Sequence, residues 1–350
     1  MYAASGLTET NVVWAYVLSG GMAAALAYGY AIRSYRYGIF TPAKESIPVG
    51  KIVSFSIPMA VLPIMWMVLT YIDTLMIGFF MQAVDVGLYG AASTVSRLFN
   101  PVITSAGFIF LPVATGLIAG GWHEESGKVY RIVTKWIYIL SIPLAAVIIS
   151  CPSEILGVVF GPEYGRGAHV LRILVVGFIV SAMFSMNTTM LTASGHSREQ
   201  MVSAMVTIVV NLILCALLIP RFGIEGAAVS TAFSTAFYQI LISWRLWRIS
   251  RIHMCSRDFV KTILSSGVAL LLVEAFWIWV AETWTDPWSR ILVTGVLYGI
   301  LFLVFLRIFG SFSVDDLLIV EMIEKRTGKK MTKIKTLLIR NWLDPDSGND

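Results

Sequence analysis

Charge is what this sequence has least of. Only 13% of its 350 residues are Asp, Glu, Lys or Arg, about half the share found in a soluble domain. That excludes a soluble globular enzyme. It also excludes a disordered chain, which needs high charge and low hydrophobicity. Cysteine is scarce as well. Cys151, Cys215 and Cys255 lie far apart with no C-x-x-C pair, so they support neither a disulfide framework nor a metal site. The four histidines (His123, His169, His196, His253) fall in or near loops, which leaves a histidine proton relay with no mid-membrane member.

Apolar residues dominate: 57% of the chain is hydrophobic and the mean hydropathy is +0.77. A membrane span needs roughly 20 mostly apolar residues to cross about 30 Å of hydrocarbon. Stretches nearly free of charge run from Thr10 to Ile32, Ile52 to Ala83, Val86 to Ala119, Trp136 to Ser153 and Ile173 to Ser197. They continue from Gln200 to Pro220, Gly226 to Trp244, Thr262 to Ala281 and Ile291 to Leu306. The expectation is an all-α integral membrane protein with about nine transmembrane helices. The first stretch lacks the basic flank of a signal peptide.

The net charge of +5 then becomes a matter of sidedness rather than of nucleic-acid binding. One set of loops carries Arg33, Arg36, Lys44 and Lys51, then Lys128, Arg131 and Lys135, then Arg198, then Arg245 to Lys261. The tail from Arg307 to Arg340 falls on the same side. The other side carries only Arg166, Arg172, Arg221 and Arg290. Basic loops stay in the cytoplasm, so the N-terminus is expected outside and the C-terminus inside. Trp277, Trp279, Trp284 and Trp288 cluster at the outer turn of the last two spans, as an interfacial belt does. Pro58, Pro63, Pro101, Pro112, Pro143 and Pro152 fall within or at the ends of spans, where each deletes a backbone hydrogen bond. Such spans suit helices that bend. Small residues such as Ala193, Ser194, Gly195, Gly226, Ala227, Ala228, Ser230 and Thr231 allow close helix packing.

Several motifs, in order, resemble a known family. FSIPMAVLPIMWMVLTYIDTLMIGFF (Phe55–Phe80) and VGLYGAASTVSRLF (Val86–Phe99) are followed by FGPEYGRGAHVLRIL (Phe160–Leu174). NTTMLTASGHSREQM (Asn187–Met201) and NLILCALLIPRFGIEGAAVSTAFS (Asn211–Ser234) come next. Together, over roughly Ile47 to Trp247, they resemble the polysaccharide flippases of the MATE-like multidrug/oligosaccharidyl-lipid/polysaccharide exporter superfamily. The resemblance implies a domain plan. Residues 1–46 would hold the last helix of an incomplete N-lobe and a cytoplasmic linker, with about five preceding helices missing. Residues 47–250 would form one complete six-helix C-lobe, 251–310 a terminal transmembrane hairpin, and 311–350 an amphipathic cytoplasmic tail.

The resemblance also implies translocation of lipid-linked oligosaccharide or polysaccharide units across the cytoplasmic membrane by alternating access, without enzymatic activity or cofactor. Expected partners are the lipid-linked glycan, membrane lipids, and either a missing N-terminal lobe or glycan-assembly proteins. A cation-coupled multidrug exporter and a non-autonomous fragment remain open. A membrane glycan polymerase or ligase fits less well, because the outer loops are short and carry no close-set acidic pair.

Ionisable residues inside spans are costly, at least about 2.5–3.5 kcal/mol each, and are functional candidates by default. Asp73 lies roughly 10 Å, and Arg97 roughly 15 Å, below the outer surface on neighbouring spans, at 1.5 Å per residue. Arg97 is therefore an ion-pair partner of Asp73, a residue snorkelling to the interface, or a cavity group meeting a lipid-linked diphosphate, with Asn100 on the same face. The planar fork of arginine suits phosphate. Substrate-binding candidates are thus Arg97, Asn100 and Asp73. Asp73 and Glu274 are the candidates for ion coupling. Asn187 and Asn211 serve either interhelical hydrogen bonds or a polar cavity.

Overall fold

The computed structural model describes residues 9–35, 49–250, 257–280 and 286–311. The linker at 36–48, part of the second basic joint (251–256), the outer turn bearing Trp284 (281–285) and the tail from 312 lie outside the described residues. Every regular element among the described residues is helical, as expected for an all-α membrane protein. Seven helical stretches among them are long and apolar enough to cross a membrane.

The described residues divide into two units, one up to Ile52 and the other from Val53. In the first unit, α1 (Glu9–Tyr35) has 27 residues, enough for about 40 Å of helix. Its apolar side chains, Leu18, Met22 and Leu26 among them, are exposed.

The second unit begins within α2 (Val49–Phe80), which contains Pro58 and Pro63. The following span is not continuous. α3 (Ala83–Ser96) ends in a 3-10 turn, Arg97–Phe99, before α4 (Asn100–Ala119) begins. Pro101 explains the break. It has no N–H for the carbonyl of Arg97, which instead takes the N–H of Asn100 in a tighter turn. α5 (His123–Ser150) then crosses the unit, followed by the short α6 (Pro152–Phe160). The next span is also divided, into α7 (Ala168–Met183) and α8 (Met186–Ala193), by a turn at Phe184–Ser185.

α9 (Ser197–Ser250) covers 54 residues, far more than one bilayer crossing needs, and consists of two helices joined at a kink. It reverses at Gly223, whose φ of 61° and ψ of −140° are non-helical. A side chain at Gly226 would put its Cβ 2.4 Å from the carbonyl oxygen of Leu218. Residues eight apart in a straight helix are about 12 Å apart, so the chain folds back there, and α9 supplies two antiparallel spans. Its second half continues through Arg245 and Arg248, so the second basic joint starts as helix. α10 (Arg257–Val280) and α11 (Pro287–Ile308) close the unit as a hairpin packed against α5.

α7 is central, packed on both α5 and α9. Gly177 permits this, because a Cβ there would sit 2.7 Å from Cα of Ala232. The interior has two apolar clusters. One joins Ile77, Tyr89, Phe99, Leu171, Leu174 and Ile219 with the terminal hairpin. The other joins Leu62, Phe110, Ile137, Met190, Tyr238 and Ile242.

Candidate functional site

A cavity of about 320 Å³ opens in the second unit, walled by α2, α4, α7, α8, both halves of α9 and the turn between α3 and α4. Both helix breaks deliver residues to it: Arg97 and Asn100 from the first, Ser181, Ser185 and Thr188 around the second. Interrupted helices are tolerated at membrane depth where they line a cavity, and they are a frequent design for binding sites in transporters.

Among the described residues, Arg97 is the one charged side chain in the lining, which is otherwise made of Ser, Thr, Asn, Gln, aromatic and aliphatic residues. Its Nε and Nη2 donate to Ser93 Oγ at 3.2 and 3.0 Å. Nη2 also donates to the Thr70 carbonyl at 3.0 Å. Thr70 lies three residues before Asp73, so the two residues approach as their depths suggested. No ion pair forms between them. Arg97 is held by a hydroxyl and a carbonyl instead, and its Nη1 keeps donors for a ligand. Asn100, exposed and three residues on, shares the cavity.

Asp73 does not line the cavity. It is buried one layer behind, where Thr231 Oγ1 donates to its Oδ2 at 2.6 Å and Tyr89 OH to the same oxygen at 3.1 Å. Cys215 Sγ donates to Oδ1 at 3.4 Å. The carboxylate thereby ties α2 to α3 and to both halves of α9. Thr231 is shared, facing the cavity on one side and Asp73 on the other. No basic residue pairs with Asp73 among the described residues. Glu274 is elsewhere, on α10 in the terminal hairpin, with Oε1 buried and without a hydrogen-bond donor. Of the two asparagines, Asn187 joins Tyr130 to Ser243, and Asn211 reaches the cavity.

The sequence reading missed most of the wall. Thr231, Ser234, Thr235, Tyr238 and Gln239 all line the cavity and recur at i, i+3, i+4, i+7 and i+8, one face of a helix. Ser181, Ser185 and Thr188, and Thr207 with Asn211, repeat the pattern on neighbouring elements. A polar stripe inside an apolar span was the available signal.

Residues 6–115 match the family described as polysaccharide biosynthesis protein. That stretch begins earlier than the motifs had indicated, taking in α1 and ending in α4. The chain is 25% identical over 256 residues to an uncharacterised membrane protein, MJ1068, of Methanocaldococcus jannaschii, covering 72% of this chain and 50% of that one. It is 28% identical over 209 residues to the probable low-salt glycan biosynthesis flippase Agl15 of Haloferax volcanii, covering 57% and 43%. Among solved structures, the lipid II flippase MurJ in an inward closed conformation matches with a TM-score of 0.54 and 16% identity, over 69% of this chain and 51% of that one. The chain therefore shares that fold and spans about half the length of the curated relatives it matches. The resemblance to polysaccharide flippases is borne out, and the chain is a multi-pass membrane protein.

Proposed function

We propose that this chain takes part in moving lipid-linked oligosaccharide or polysaccharide units across the cytoplasmic membrane by alternating access. The observation that carries the reading is the lone arginine in a hydroxyl-lined cavity at two helix breaks. A guanidinium with no carboxylate partner among the described residues and with donors to spare suits a diphosphate, which it can grip bidentately. The surrounding hydroxyls and amides suit a neutral, oxygen-rich head. The glycan flippase among the relatives and the flippase fold support the same reading. Residues 47–250 act as the C-lobe, 251–310 as an accessory hairpin, and 1–46 as the end of an N-lobe with its linker. The N-terminus faces outward and the C-terminus the cytoplasm, in keeping with the basic loops.

Asp73 is the coupling residue of this proposal. It is a carboxylate without a basic partner among the described residues, and it reaches the cavity through Thr231. Loading a proton or a small cation there would change the hydrogen bonds that join α2, α3 and α9, the elements that must move. Glu274 is the second coupling candidate, acting through the hairpin rather than the cavity.

The test is Arg97→Ala in the gene of the producing organism, with membrane protein level, surface glycan and lipid-linked intermediate all measured. The expected result is lost surface glycan and accumulated intermediate at normal protein level. Unchanged surface glycan would overturn the reading. Intact glycan with altered extrusion of a cationic dye would point to the multidrug alternative.

A further inference from the structure

The cavity wall contains two kinds of polar group. Most are satisfied within the protein: Thr207 donates to Ser203 O, Thr231 to Asp73, and Thr235 to Thr231 O. Four atoms are not. Ser185 Oγ, Ser234 Oγ, Tyr238 OH and Gln239 Oε1 are buried and have no hydrogen-bond partner. Their residues are 6%, 2%, 1% and 4% exposed, and all four line the cavity. Leaving a buried polar group unpaired is costly, and these four belong to residues of one cavity wall.

Their arrangement is specific. Ser234 and Tyr238 are one helical turn apart on α9, with Gln239 beside them. The Gln239 amide is held by its own Nε2, which donates to Ser181 Oγ at 3.0 Å and to Ser181 O at 3.3 Å. That contact fixes the orientation of the side chain and leaves Oε1 as a free acceptor. Ser185 comes from the α7–α8 break next to it. Three hydroxyls can donate or accept and one amide oxygen can accept, with no charge among them. Trp66, edge-on to Tyr238 with ring centroids 5.0 Å apart, adds an apolar surface.

We infer that Ser185, Ser234, Tyr238 and Gln239 form a second subsite in the cavity, one that binds the hydroxyls of a neutral carbohydrate, separate from the phosphate-binding role of Arg97. This rests on the lipid-linked-glycan reading and adds to it the residues that select for sugar.

The experiment uses the full chain in lipid nanodiscs and two probes: bare undecaprenyl diphosphate, and the same lipid carrying one N-acetylhexosamine. Wild type should bind the glycosylated probe more tightly. The double variant Ser234→Ala/Tyr238→Phe should weaken that probe by roughly fivefold or more, the loss expected from one or two neutral hydrogen bonds, while the bare probe changes far less. Its melting temperature should hold or rise, because removing unpaired hydroxyls orphans nothing. Arg97→Ala should weaken both probes alike. Equal binding of the two probes to wild type, or a double variant with unchanged sugar preference, would leave these groups to water and overturn the inference. A lower melting temperature with both probes weakened equally would mean a structural role and would overturn it too. Failure of wild type to bind either probe would sink the subsite together with the parent reading. A sugar preference that survives while Arg97→Ala leaves bare-lipid binding unchanged would remove only the phosphate role of Arg97.

Discussion

Around the cavity the helices break, at Arg97–Phe99 and at Phe184–Ser185, and polar residues make up much of the lining. In the hairpin of α10 and α11 the described helices run unbroken, and buried polar groups are mostly paired inside the protein. Arg290 bridges to Glu154 and lies 5.0 Å over the Trp277 ring. Trp277 Nε1 donates to Thr294 Oγ1 at 2.9 Å, and Thr294 contacts Cys151 Sγ at 3.3 Å. Tyr138 and Ser266 share a hydrogen bond of 3.0 Å. Lys135 and Lys261 donate to the carbonyls of Ser311 and Gly310 at the end of α11, where cations complement the helix dipole. Polarity that is satisfied internally holds elements together, and polarity left open inside a cavity awaits a ligand. Glu274 Oε1 is left unpartnered, as are Arg290 Nε and Ser311 Oγ, but Glu274 alone of the three is a carboxylate, which is why it stays a coupling candidate.

Substitutions separate the roles of the two regions. The largest effect should come from Arg97→Ala: transport should fall by about tenfold or more, as expected for losing charge-assisted hydrogen bonds, while the protein level holds. Arg97→Lys should recover only part of it, because one ammonium cannot hold Ser93, Thr70 and a ligand as the guanidinium fork does. Gly177→Leu comes next. It should force α7 from α9, costing about 1–3 kcal/mol by overpacking, and lower both thermal stability and transport. A variant with transport unaffected would show that the α7–α9 contact does not shape the cavity.

Arg290→Ala should act on the hairpin alone. The pair with Glu154 is partly exposed, so the cost after solvent screening is about 1–2 kcal/mol, read as a lower melting temperature with transport per molecule unchanged.

The smallest effect concerns Asp286, which caps α11 by accepting the Ser289 N–H at 2.8 Å. That backbone hydrogen bond holds its carboxylate below the ordinary value of 3.8. A depressed pKa means the cap is fully present above that value and is lost as pH falls through the lower, folded value. Wild type should therefore show a slight stability loss in acid that Asp286→Asn lacks, measurable as melting temperature between pH 5 and pH 3 (about one unit either side of the aspartate range).

The spans were legible because hydropathy over about 20 residues is set by the bilayer and not by partners. The approach of Arg97 to the level of Asp73 was legible from helical rise alone. Their actual partners were not. Asp73 is satisfied by Thr231 and Cys215, 158 and 142 positions away in sequence, and only the reversal of α9 at Gly223 brings both to it. Thr231 had been grouped with Gly226, Ala227, Ala228 and Ser230 as a packing residue. The buried Ala227, Ala228 and Ser230 fit that reading, but the hydroxyl of Thr231 does not. The helix break at Arg97 was hidden because a proline in a span can bend, break or leave a helix intact according to its neighbours. Here Asn100 supplies the replacement hydrogen bond that stabilises the break.

The most direct test places Arg97→Ala and Arg290→Ala side by side in the producing organism. The quantity is the fraction of lipid-linked glycan in the outer leaflet, normalised to the amount of this protein in the membrane. The account predicts a drop of about tenfold or more for Arg97→Ala and no change per molecule for Arg290→Ala. An equal drop in both, or a wild-type fraction with Arg97→Ala, would contradict it.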